Sequence, residues 1–238
     1  DNMYHKVSFP FEPVKDWITH VDFNYRIKSA NNYWDKQVLY NHDVEGNAYA
    51  CDKYSNVHED YYKENYYNFN IYTEYTHQFN QKHDFHVMGG FQAENLKQTQ
   101  FGLQRDGIMF PNKPQVDLTN GLDYDGNPIT PSVNGSRNDW ATAGFFGRIN
   151  YSYDGKYLLE ANLRADGTSR FRKGNQGKTF PSFSLGWNVA REHFFEPLNN
   201  IVNILKFRAS YGLLGNQNTT NWYQTYQPMS VGSSNGAW

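Results

Sequence analysis

The chain has 238 residues, with 22 Lys or Arg against 24 Asp or Glu, and a net charge of -2 gives no electrostatic case for a nucleic-acid partner. Its single cysteine, Cys51, excludes an internal disulfide framework and a cysteine-rich zinc site, and no apolar run approaches the ~18 residues of a transmembrane helix. Aromatic residues make up 18%, too many for a disordered chain, while hydrophobic residues make up only 38%, below the about 45–50% usual for a globular core.

Residues 1–10 lack the apolar core of a signal peptide, so this stretch is not expected to direct export. From Trp17 to Lys28 the chain alternates. Val21, Phe23, Tyr25 and Ile27 share one parity, and His20, Asp22, Asn24, Arg26 and Lys28 the other. Such period-2 patterning marks a strand with two unlike faces. Residues 33–40 carry a weaker strand pattern, with Lys36 among Trp34, Val38 and Tyr40. Residues 67–79 set Tyr67, Phe69, Ile71, Tyr75 and Phe79 against Asn68, Asn70, Glu74 and Gln78. Residues 85–94 set Phe85, Val87, Phe91 and Ala93 against His86, Gln92 and Glu94.

The second half repeats this. Ala143, Phe145, Ile149, Tyr151 and Tyr153 oppose Arg148, Asn150 and Ser152. Tyr157, Leu159, Ala161, Leu163 and Ala165 oppose Glu160, Asn162, Arg164 and Asp166. Two further strands carry Phe183, Leu185, Trp187 and Val189, then Leu205, Phe207, Ala209 and Tyr211, on their apolar parity. No charged side chain falls on the apolar parity of the seven strong strands. Lipid explains that exclusion, because Arg or Lys at a bilayer midplane costs about 2–4 kcal/mol on a barrel's outer face. Ile18, Tyr72, Met88, Phe146 and Leu158 lie on the polar parity, where an apolar residue costs little.

Connections alternate between short (29–32, 80–82, 154–156) and long (41–65, 98–140, 169–179 and 214 onward). Asp154-Gly155 is a hairpin-turn dipeptide. Barrels place short turns on the periplasmic side and long loops outside. Residues 191–203 depart from the alternation, and Pro197 with Ile201 suggests a small structured cap. The pattern predicts an all-β, antiparallel, up-and-down transmembrane β-barrel segment of about eight strands. Phe145, Ile149, Tyr151, Leu159, Leu163 and Trp187 would then face lipid, and Arg148, Asn150, Glu160, Asn162, Arg164 and Asp166 the lumen. A soluble β-sandwich also alternates inside and outside residues, and stays open at this point.

The segment FFGRINYSYDGKYLLEANLRADGTSRFRKGNQGKTFPSFSLGWN (145–188), followed by LKFRASYGLLGNQNTTNWY (205–223), resembles the barrel of SusC/RagA-type TonB-linked outer-membrane receptors. NFNIYTEYTHQFNQKHDFHVMGGFQAE (68–94) is similar to a preceding hairpin of such barrels. The resemblance implies a 22-stranded barrel with a plug, and import of glycans or peptides with a SusD-like surface lipoprotein. It also implies TonB-complex coupling through regions outside this chain, and a Bacteroidetes-type outer membrane as the location. At roughly 30 residues per strand such a barrel needs on the order of 650 residues, so residues 1–238 read as a partial barrel domain. A complete eight-stranded barrel with an adhesion role and a secreted glycan-binding module are the alternatives.

Nothing in the chain calls for an enzyme, a cofactor or a metal. Gly232-Ser233-Ser234-Asn235-Gly236 matches GxSxG without the strand before and helix after that the motif needs. His83 and His86, three apart on a strand, point to opposite faces. Asp123-Tyr124-Asp125-Gly126-Asn127 starts like a calcium loop, but Pro128 stands at the sixth place and Asn134 at the twelfth, so a surface turn is expected. Glu160, Arg164, Asp166 and Arg148 share one face of a hairpin and read as a structural charge ladder. The basic cluster Arg170-Phe171-Arg172-Lys173 falls in a predicted outer loop, and the sequons at Asn134, Asn150 and Asn218 carry no weight in an Asn-rich chain. Trp140, Trp222 and Tyr223 are candidates for stacking on sugar faces.

Overall fold

The computed structural model describes residues 1–198, 200–216 and 222–223. Asn218, the Gly232–Gly236 motif and the other residues from 224 on lie outside the described residues. The described strands are β1 (Asn2–Val14), β2 (Trp17–Lys36), β3 (Leu39–His42), β4 (Ala48–Asp52), β5 (Asn56–Phe79), β6 (His83–Asp106), β7 (Ser132–Tyr153), β8 (Tyr157–Thr168), β9 (Gly177–Asn188) and β10 (Lys206–Gly212). Eight of them form one sheet in the order β1-β2-β5-β6-β7-β8-β9-β10, and β3 and β4 pair separately. With the β3–β4 hairpin set aside, chain neighbours are sheet neighbours, which is the up-and-down order.

The expected elements are present, with three corrections. There is no turn at 29–32: β2 runs through it, and the weak strand at 33–40 divides between the end of β2 and β3. β1 was not foreseen. Val7, Phe9 and Phe11 alternate there, but Pro10 and Pro13 interrupt the run. Proline is confined largely to edge strands and bulges, and β1 lies at an edge of the sheet. The long connections are also shorter than expected, because β5 starts at Asn56, β6 continues to Asp106 and β7 starts at Ser132. β5 and β6 have 24 residues each. A bilayer takes only about 9–11 strand residues, so most of each strand has no reason to alternate apolar with polar. His58-Glu59-Asp60 and Lys63-Glu64-Asn65 accordingly carry polar groups on both parities.

One compact unit comprises 1–4, 26–66 and 97–139. Its anchor is Val57, fully buried beside buried Ser55 and Asn56. The Ser55 carbonyl accepts from Gly107 N–H at 2.8 Å and the Ser55 hydroxyl from Ile108 N–H at 3.1 Å. Trp34 stacks on His58 with ring centroids 4.5 Å apart. Arg26 donates to Glu64 at 2.8 Å.

The other unit comprises 5–25, 67–96 and 140 onward. Its three two- or three-residue turns are built on left-handed backbone at Asp16, at Asn80 and Gln81, and at Asp154 and Gly155. The last pair is the Asp-Gly hairpin turn the sequence predicts. Backbone bonds tie these turns to their neighbours: Thr76 N–H of β5 donates to the Asp16 carbonyl at 3.0 Å, and Asp154 N–H to the Lys82 carbonyl of the preceding turn at 2.6 Å. The expected cap also forms. Val189–Arg191 and His193–Leu198 are 3-10 turns, and Val189, Ala190 and Phe195 pack against Leu205. Phe195 is its core residue, whereas Ile201 is exposed.

Register in this unit keeps like with like. Phe145 pairs with Ala165, Ile149 with Ala161 and Tyr151 with Leu159 across β7 and β8. Leu159 continues to Leu185 on β9, and Trp187 pairs with Phe207 on β10. This face is uncovered among the described residues: Phe145 is 67% exposed, Leu163 53% and Leu185 60%. Among the described residues there is no second sheet covering this face, as a soluble β-sandwich requires.

Candidate functional site

The opposite face of the same strands is a polar network. Arg148 Nε donates to the Asn162 side chain at 2.6 Å, and Asn162 donates to Glu160 at 2.9 Å and to Ser182 at 3.3 Å. Arg208 of β10 donates to Ser184 at 2.9 Å and lies 3.7 Å from Glu160. Arg164 Nε donates to both Asp166 oxygens at 2.8 and 2.7 Å, and Arg164 Nη2 donates to the Gln92 side-chain oxygen at 3.1 Å. Gln92 in turn donates to Glu94 at 2.9 Å, Asn68 to Glu94 at 3.3 Å, and Asn24 to Asn68 at 3.1 Å. The Arg164 relay thus runs through β8, β6, β5 and β2.

Nearer the short turns, the Glu74 carboxylate is flanked by His20 at 3.2 Å and His86 at 3.3 Å, and the Asn150 amide lies 3.5 Å from His86. His83 instead contacts the Tyr151 hydroxyl at 2.8 Å, so the two histidines point apart as their spacing requires. Two of the apolar residues on the polar parity, Tyr72 and Phe146, come together. Tyr72 stacks on His20 at 4.6 Å, and Phe146 lies 6.5 Å from Tyr72 and 5.9 Å from the Arg164 guanidinium. Gly90 makes room for them.

All six polar-face candidates therefore sit on one face, but in three groups rather than one ladder: Arg148, Glu160 and Asn162 together, Arg164 with Asp166, and Asn150 beside His86. Sequence reasoning left out Gln92, Glu94 and Arg208 as their partners. Those residues were visible on the polar parity, but long-range strand order joins them to β8. The Asp123–Asn127 segment is the expected surface turn: Asp123 Oδ1 accepts from Asp125 N–H at 2.9 Å and Asn127 N–H at 2.7 Å. The Asn127 side chain, with those backbone donors, holds the Asp123 carboxyl below the usual carboxylate range. Asp43 is held low in the same way by Asn47.

Of the three aromatics considered for sugar stacking, Trp140 lies within β7 rather than in a loop, and Trp222 and Tyr223 follow β10. The Arg170 guanidinium lies over the Trp140 ring at 4.9 Å and the Trp222 ring at 5.7 Å. Both indoles are half-buried, and Tyr223 is the exposed one. The basic cluster at 170–173 thus has a structural member, Arg170, which holds the β8–β9 connection against the chain beyond β10. Between those two segments lies a cavity of about 620 Å3.

Comparison with known proteins fits this architecture. A profile described as "TonB dependent receptor-like, beta-barrel" matches residues 6–237. TonB-dependent receptor P39 of Formosa agariphila is 28% identical over 90% of this chain and 19% of its own length. TonB-dependent receptor SusC of Bacteroides thetaiotaomicron is 30% identical over 68% of this chain and 15% of its own. The chain thus spans less than a fifth of these curated relatives, which are receptors rather than enzymes. The solved RagAB peptide transporter superposes with a TM-score of 0.70 at 18% identity, covering 89% of this chain and 22% of that one, which shows the shared fold. With the family profile matched almost end to end, the chain belongs to the TonB-dependent receptor-like β-barrel family of the outer membrane.

Proposed function

We propose that this chain is part of the barrel wall of an outer-membrane transporter that imports glycans or peptides with a SusD-like surface lipoprotein and draws on the TonB complex through regions outside residues 1–238. The observation that carries it is the two-faced eight-stranded sheet: one face exposed and apolar, the other lined with hydrogen-bonded polar side chains. Phe145, Ile149, Tyr151, Leu159, Leu163 and Trp187 meet outer-membrane lipid in this reading. Arg148, Asn150, Glu160, Asn162, Arg164 and Asp166 line the lumen, where paired charges offer a wetted path without a net field. The similarity to SusC and the fold of the RagAB peptide transporter both support it.

Cysteine accessibility in the full receptor tests the assignment. In intact outer membranes Asn162→Cys and Arg148→Cys are expected to react with a charged, membrane-impermeant maleimide, and Phe145→Cys and Leu163→Cys to resist it. Equal labelling of both sets would overturn it. Deletion of the gene is expected to abolish growth on the imported oligosaccharide or peptide, and unimpaired growth on every such nutrient would overturn the transport role.

A further inference from the structure

A groove of about 640 Å3 runs along the apolar face of β8, β9 and β10. Two rungs of the sheet line it. Tyr157, Trp187 and Phe207 pair across the first, and Leu159, Leu185 and Ala209 across the second. Ala209 is the one small side chain among these six.

The β9–β10 cap stands at the short-turn end of this groove. Val189 and Leu205, in the cap's core, continue the apolar parity of β9 and β10 into it. Phe194 of the cap is 67% exposed and reaches back to Trp187, with ring centroids 6.5 Å apart. Glu192 fixes the first rung: the Trp187 indole N–H donates to its carboxylate at 3.1 Å. Bonds from Trp187 and Tyr157 hold the Glu192 carboxyl below its usual range.

The charges at this end say what head fits. Lys156 lies 3.3 Å from Asp154 and 3.9 Å from Glu192, and His193 pairs with Glu196 at 2.8 Å. Arg191 is exposed and, among the described residues, has no ion-pair partner. Its guanidinium lies over the β7–β8 turn, so close that a Cβ on Gly155 would collide with it. A guanidinium with free donors matches a phosphate. Lys156 and Arg191 stand against Asp154, Glu192 and Glu196, so no positive surplus draws an anionic lipid. The Asp154 side chain, 40% exposed, can accept from an ammonium. Hydrocarbon alone gives one lipid no reason to stay, because its neighbours are equally apolar. The head must supply the retention.

We propose that the groove and the Arg191 end of the cap form a seat for one zwitterionic phospholipid of the periplasmic leaflet, with an acyl chain along Leu159, Leu185 and Ala209 and the phosphate on Arg191. The proposal rests on the reading of the apolar face as lipid-facing, and adds a retained lipid at one place on it.

Native mass spectrometry of the purified full receptor in detergent tests it. The probes are phosphatidylethanolamine, phosphatidylglycerol and diacylglycerol with the same palmitoyl and oleoyl chains. Phosphatidylethanolamine is expected to be retained in preference to the other two, and an excess of inorganic phosphate to leave it in place. Arg191→Gln, which removes the cation, and Ala209→Phe, which fills the groove, are each expected to weaken retention by about tenfold. Both positions are exposed, so the heat-modifiable gel shift of the folded barrel is expected to persist. Arg172→Gln, an exposed cation in the β8–β9 connection, is expected to leave retention unchanged.

No retained phosphatidylethanolamine, equal or preferred retention of either other lipid, displacement by phosphate, unchanged retention in Arg191→Gln or Ala209→Phe, or an equal loss in Arg172→Gln overturns the proposal. If Phe145→Cys and Leu163→Cys resist the maleimide but no lipid is retained, the seat falls and the lipid-facing reading stands. If the lipid is held through Arg191 but those cysteines label as freely as Asn162→Cys, the seat stands and the wider reading of the face falls.

Discussion

Gly90 and the turn aspartates show how single positions constrain this sheet. A Cβ on Gly90 would lie 2.5 Å from Tyr72 Cβ, 2.6 Å from the Ile71 carbonyl and 2.7 Å from the Phe146 ring. Backbone cannot yield as a flexible side chain does, so Gly90→Ala is expected to destabilise the folded receptor by about 1–3 kcal/mol. Gly147→Ala, whose Cβ meets nothing nearer than the Met88 carbonyl at 3.6 Å, is expected to be near neutral by the same denaturant titration. The Asp43 and Asp123 turns carry the pH dependence. Each carboxyl is held low by hydrogen bonds from the Asn four residues on, so folding favours its ionised form. That contribution is present above the ordinary carboxylate value of about 3.9 and is lost as pH falls through the lowered one. Hydrogen-exchange protection of the Asn47 and Asn127 amides, taken relative to the intrinsic rate at each pH, is expected to hold at neutral pH and to fall only in that acid range. Asp43→Ala and Asp123→Ala should remove the dependence, and protection unchanged down to strong acid would refute it.

Along a strand, the two faces answer to different solvents. Leu163, near the middle of β8, pairs with Gly147 and Pro181 on the apolar face, while its neighbour Asn162 bonds Arg148, Glu160 and Ser182 on the polar one. If lipid meets the apolar face, Leu163→Arg costs about 2–4 kcal/mol and Tyr157→Arg, at the short-turn end, about 0–1. Folding titrations of the full receptor into lipid vesicles measure both. Equal costs at the two depths would mean that no bilayer lies against β8.

The sheet ends at β1 on one side and β10 on the other, each with a single partner among the described residues. Unpaired backbone groups cannot sit in hydrocarbon, and exposed edges template aggregation. Residues 1–238 alone are therefore expected to aggregate when refolded into detergent, whereas the full receptor yields a discrete, heat-modifiable monomer. A heat-modifiable monomer from residues 1–238 alone would instead show that these eight strands close on themselves.

How far each feature was legible follows from what wrote it into the chain. Alternation is written wherever one strand face must be apolar and the other polar, so the seven strong strands, the two faces and the Asp154-Gly155 turn were readable residue by residue. Where β5, β6 and β7 run on with polar groups on both faces, nothing enforces a period, and those stretches read as loops. Prolines hid β1, because a proline removes a ladder donor without forbidding an edge strand. Tertiary structure alone decided which polar residues meet: Arg164 reaches Gln92, 72 positions away, and Arg170 settles between Trp140 and Trp222. Local patterning assigns a side chain to a face. Its partner on that face depends on strand order and register, which long-range pairing sets and no window of neighbouring residues contains.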